Sequence, residues 1–148
     1  MALSAIPTVD EAEWQRLIEA LIEDRTATSR RIVERFHEEI PSYTRLSSDE
    51  ITPAGVAVIE HVLASIRDKR APDPDEDLAL YREHARLRAQ QGIPIEDMLR
   101  AWRIGMDEVR TRAEKYGASD SVRLEFLERM MAWLHVAMYA SASAHREI

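Results

Sequence analysis

The chain has 148 residues, enough for one domain with its own core. It is 45% hydrophobic and 32% charged, with a formal net charge of −7, which excludes a disordered chain, and the absence of cysteine excludes disulfides, thiolate metal sites and thiol catalysis. Acidic residues outnumber basic ones 27 to 20, so a direct contact with nucleic acid by this chain is not expected.

No apolar run approaches the ~20 residues that span a bilayer, and the first residues lack the basic start and apolar stretch of a signal peptide. A cytoplasmic protein with no membrane contact is expected. It reads as a single domain over residues 1–148, structured over roughly 10–145, with end positions free by a few residues.

Glycine is scarce and the prolines fall at segment edges, the punctuation of an all-α protein. Thr8, with Glu11 three residues on, has the spacing of a capping box. Trp14, Leu17, Ile18, Leu21 and Ile22 then recur at helical spacing. The polar stretch 25–29 admits a bend, after which Ile32, Val33, Phe36 and Ile40 resume the pattern until Pro41 ends it. Tyr43 and Leu46 anchor a connector. The next helix is expected to start at Thr52 and Pro53, with Val56, Ile59, Leu63 and Ile66 as its inner stripe.

The acids Asp73, Asp75, Glu76 and Asp77 suit the positive end of a third helix dipole. That helix carries Leu78, Tyr81, Ala85 and Ala89 on one face, with Arg82, Arg86 and Arg88 largely elsewhere. Gly92 and Pro94 mark a tight corner. Beyond it Ile95, Met98, Leu99, Trp102, Met106 and Val109 form the core face of a helix that ends at Tyr116-Gly117. The last helix starts near Ser119 or Asp120. Its residues Leu124, Leu127, Met131, Leu134 and Met138 step three and four, the spacing of a coiled-coil seam, and define the expected homodimer interface. Phe126, Met130, Trp133 and Ala137 widen that stripe, so one side can pack on the domain while the other meets a partner.

No catalytic pattern is present: no nucleophile elbow, no phosphate-binding glycine loop and no His-Glu-x-x-His. An enzyme is therefore not expected, and neither is a metal or a cofactor. Asp73-x-Asp75-x-Asp77 begins like a calcium loop, but Leu78 and His84 stand where that loop needs Gly and Glu. Glu34-x-x-His37 has the spacing of half a di-iron site, without the second pair such sites need. The corner at Gly92 differs from a DNA-reading motif because Glu96 and Asp97 open the following helix. Arg103, beside Trp102 at the border of the apolar face, is expected to be partly buried. It either pairs with Asp107 one turn on or anchors an anionic ligand.

Pro41-x-Tyr43-x-x-Leu46, Arg70-Ala71-Pro72 and above all the run from Arg82 to Gly105 resemble the N-terminal domain of PucR/CdaR-like transcriptional regulators. The densest stretch is Arg86-Leu87-Arg88-Ala89-Gln90-Gln91-Gly92-Ile93-Pro94-Ile95, continuing as Leu99-Arg100-Ala101-Trp102-Arg103-Ile104-Gly105. The same module is similar to the N-terminal domain of stressosome co-antagonist proteins, which resembles a globin fold without haem. The resemblance covers roughly residues 10–145 and implies a globin-like input or dimerisation module at the front of a larger regulator. In such regulators a DNA-binding segment lies downstream, so the chain is expected to be either an excised domain or a stand-alone member.

The leading expectation is thus a non-enzymatic, all-α, globin-like domain of five or six helices that dimerises through its long last helix and passes a signal along it. The alternative is a small-molecule or haem sensor whose pocket is lined by Trp102, Met106 and Trp133, with Arg103 or His84 as the polar contact.

Overall fold

A computed structural model describes residues 9–73 and 76–146. Six α-helices make up the described residues, with no strand among them. They are α1 (Glu11–Glu23), α2 (Arg25–Glu39), α3 (Ser48–Arg67), α4 (Glu76–Gln90), α5 (Ile95–Lys115) and α6 (Asp120–Arg146), with a 3-10 turn at Pro41–Arg45. This is the all-α domain with a long terminal helix that the periodicity predicts, and it is consistent with a globin-like domain. α6, 27 residues long, extends for about 40 Å.

The expected capping residue Thr8 lies outside the described residues. Asp10 caps α1 instead, its side chain accepting from the N–H groups of Ala12 and Glu13. Trp14 is wholly buried, and its Nε1 donates to the Arg67 carbonyl at 3.1 Å, tying α1 to the end of α3. The bend expected within 25–29 falls just before it, at Asp24. Ile40 is extended ahead of Pro41 and ends α2 as expected. The turn that follows buries Tyr43 against Phe36.

α3 begins five residues before the expected start. Ser47 and Glu50 form a full capping box there, satisfying two backbone donors, which Thr52 and Pro53 cannot match. Pro53 lies inside the helix on an exposed turn, where it supplies no backbone donor. At the other end Lys69 takes φ 55°, while its N–H and that of Arg70 return to the carbonyls of Ile66 and Ser65.

α4 is opened by Asp73, whose carboxylate accepts from the Glu76 N–H at 3.1 Å. Asp75 of the acidic cluster lies outside the described residues. The inward stripe of α4 is Asp77, Tyr81, Ala85 and Arg88. Arg88 is only 2% exposed, which corrects its expected place away from the packed face. Four residues beyond it, Gly92 turns the chain at φ 85°, and Arg45 donates to its carbonyl at 3.2 Å. Pro94 serves as the cap of α5 rather than as a residue of its first turn.

α6 packs along α4 and α5, α2 along α3 and α5, and α1 along α3. Two apolar clusters result. The larger joins α1, α3 and α6 around Trp14, Ile18, Phe126 and Trp133. The smaller joins α2, the 3-10 turn and the Gly92 corner around Ile40, Tyr43, Ile93 and Ile104.

Candidate functional site

Where the two clusters meet, the helices do not close completely. A chamber of about 90 Å³ lies between α2, α3, α4 and α5, walled by Phe36, Tyr43, Ile51, His84, Arg88 and Trp102. A second chamber of about 90 Å³ lies toward α6, against Val62, Met106, Trp133 and Leu134. The two share Ile32, Val58, Ile59, Trp102 and Gly105 as a common wall. Trp102 is fixed in that wall by its Nε1, which donates to Ser141 Oγ at 2.8 Å.

α4 supplies the polar side of the first chamber. His84 packs on Trp102, with ring centroids 5.9 Å apart. Burial, reinforced by the positive charge of Arg88 one turn on, pushes the His84 imidazole down to about 4, so it is neutral at pH 7. Arg88 Nη1 donates to Gln91 Oε1 at 2.7 Å. Burial also lowers the pKa of this guanidinium, with Tyr43 and Glu50 opposing the shift from a distance. Tyr43 cannot serve as a counter-charge near neutrality, because burial pushes its phenol up to about 12. Arg88 is therefore the one charged side chain among the residues lining either chamber.

Of the three expected ligand residues, Trp102 and His84 meet at this chamber. Arg103 does not; it is exposed and lines neither chamber. The inner stripe of α5 runs through Met98, Ala101, Ile104, Glu108 and Val109, about one residue out of phase with Leu99, Trp102 and Met106. This rotation carries Arg103 to the outside. Its expected partner Asp107 is held instead by Arg35 at 2.9 Å and Arg110 at 2.7 Å. Both pull the Asp107 carboxyl below its usual range. Met106 and Trp133, also expected at a pocket, line the second chamber.

Another buried polar cluster joins α3 to α4. Asp77 is 1% exposed and accepts from His61 Nε2 at 2.8 Å, Arg70 Nη1 at 3.0 Å and the Asp73 N–H at 2.5 Å. Arg70 also lies over the Trp133 ring, 5.2 Å from its centroid. Asp77 is thus engaged with two side chains and a backbone donor. No group of three metal-binding side chains stands together among the described residues. Glu34 and His37 point to different partners, Glu34 to Arg31 at 3.1 Å and His37 to the Leu46 carbonyl at 2.7 Å.

The chambers do not fit haem. Cofactor pockets enclose roughly 300–1,000 Å³, against about 90 Å³ in each chamber, and Trp102 stands in the wall between the two.

On α6 the buried stripe is Val122, Phe126, Met130, Trp133, Ala137, Ala140, Ser141 and Ala144. The expected interface residues lie beside it. Leu124 is 61% exposed and Met131 39%, while Leu127, Leu134 and Met138 are half-buried. Tyr139 is also exposed, at 63%.

The fold and its cavity define an all-α domain with a chambered core and no helix, among those described, that is long and apolar enough to cross a membrane. The family model for the RsbT co-antagonist protein rsbRD N-terminal domain matches residues 26–148, from the start of α2 onward, and the chain belongs to that family. It is a regulatory N-terminal domain of the stressosome type. No curated protein and no solved structure gives a match.

Proposed function

We propose that the chain is a non-enzymatic input and dimerisation module that passes a change in packing along α6 to a larger regulator. Control of transcription is the output in the PucR/CdaR-like version of this reading. The observation that carries it is the division of α6 into two apolar stripes. One, from Val122 to Ala144, is spent on the core. The other, Leu124, Leu127, Met131, Leu134 and Met138, repeats at seam spacing on the outer side. Leu124 and Met131 are exposed and the other three half-buried, and a second copy of the same helix would bury symmetrically what this row leaves in water.

The relay has a physical route. Trp133, Leu134 and Ala137 wall the second chamber, and Leu134 also belongs to the outer stripe. A ligand or partner that prefers one packing of this region would shift the balance by its difference in affinity for the two.

Replacing Leu127, Leu134 and Met138 together by Ala is expected to raise the dimer dissociation constant by at least 100-fold while the helical circular dichroism is retained. Sedimentation velocity reads this directly. Unchanged association after all three replacements would move the interface elsewhere.

A further inference from the structure

We propose that the chamber beside Trp102 binds a small monocarboxylate, with its apolar body among the chamber walls and its carboxylate paired to the Arg88 guanidinium. This deepens the regulatory reading above by assigning the class of ligand that the domain receives.

A buried guanidinium brings a full charge and five N–H donors into a low-dielectric interior, and such charges are ordinarily paired there. Arg88 has no carboxylate at ion-pair distance among the described residues, and its one hydrogen bond is to a neutral amide. The acid that influences it, Glu50, is occupied at the Ser47 cap. Tyr43, His84 and Gln91 are all uncharged near pH 7 and leave the positive charge standing. A carboxylate entering the chamber would meet the planar fork that suits it, with the neutral His84 ring close by on the same helix face.

The rest of the lining decides the remainder of the ligand. It is aliphatic and aromatic, with the hydroxyls of Ser29 and Ser141 already donating or accepting within the protein. A sugar or polyol would lose its hydration there without replacement. A phosphate or dicarboxylate would bring a second charge that has no partner. The two chambers together exceed the roughly 150 Å³ that admits a benzene ring in an apolar core. Movement of Ile59, which no hydrogen bond ties in place, would join them. The ligand would then press on Trp133 and Leu134 of α6.

The test is calorimetric titration and thermal denaturation of the full chain with benzoate, hexanoate and octanoate. Benzyl alcohol, 1-octanol and sodium chloride serve as controls. The expected result is saturable binding of at least one carboxylate with a raised melting temperature, and at least tenfold weaker binding of the matching alcohol. Arg88→Met, which keeps the side-chain length, is expected to lose at least tenfold in carboxylate affinity and to bind the alcohol as before. Ile59→Trp retains Arg88 and is expected to reject octanoate before benzoate. If Arg88→Met fails to fold, the acid-against-alcohol comparison on the unaltered chain decides. The proposal is overturned if no carboxylate binds, if acid and alcohol bind alike, or if chloride competes as strongly as the carboxylates. A dimer that binds none of them would overturn this assignment alone, and binding by a chain that stays monomeric would overturn only the dimerisation reading.

Discussion

Asp77→Ala is expected to lower the stability of the domain by about 3 kcal/mol, among the largest single losses available outside the apolar core. The carboxylate is buried and holds three donors: His61 on α3, Arg70 beyond its end and the Asp73 N–H ahead of α4. Removing it strands those donors. Arg70 and His61 keep some access to solvent, which places the cost at the low end of that for breaking a buried pair. For a domain of this size the melting temperature should fall by on the order of 10 °C. Asp77→Asn, which keeps an acceptor but not the charge, should lose less. A change below about 1 kcal/mol in a urea titration would mean that the cluster contributes little.

The same carboxylate sets an acid limit. Burial alone would raise its pKa, but the hydrogen bonds from Arg70, the Asp73 backbone and His61 outweigh that and hold it below the ordinary 3.8. A depressed carboxyl contributes its stability above its unfolded value and loses it as pH falls through the folded one. This loss therefore lies below pH 3.8.

His84 produces an earlier and separable loss. Its pKa is lowered from 6.5 to about 4, so between those values the unfolded chain binds a proton that the folded chain refuses. Stability is expected to fall as pH drops from 6.5 toward 4, by about 3 kcal/mol in all. It should then level off with respect to this group. His84→Phe retains a ring against Trp102 and removes the titration, so its stability should be flat across that window apart from what other groups contribute. Unfolding midpoints at half-unit steps of pH, for the two proteins in parallel, make the comparison. Parallel curves would show that the imidazole takes up its proton freely in the folded state.

The outline of the fold was legible because most of its helices announce themselves by apolar spacing and their ends by Pro41, Gly92, Pro94 and Gly117. The stripe that α6 buries, Phe126, Met130, Trp133 and Ala137, was separable in the sequence from the outer set of leucines and methionines. Less legible was the rotation of each helix about its axis. α5 has apolar residues on two adjoining lines, and spacing alone favours the bulkier one, Leu99, Trp102 and Met106. The packed line instead runs one position earlier, through Met98 and Ala101, and on to Ile104 and Glu108. That difference of about 100° is what moved Arg103 to the surface.

Arg88 was missed for a related reason. Tyr81, Ala85 and Arg88 share one face at steps of four and three, so the position was readable, but a charged residue on such a line is ordinarily assigned to water. The signal was the line itself. Asp77 lies on it too, and α4 thus carries a buried charge near each end, one paired within the protein and the other facing a cavity.

Native mass spectrometry of the purified chain, sprayed from a gentle volatile buffer, tests the central claim most directly. The account predicts a dimer at twice the 17.0 kDa chain mass, with any retained adduct matching a small organic acid. A bare monomer at concentrations well above micromolar would contradict it, since the outer stripe of α6 would then face water with no second copy to cover it.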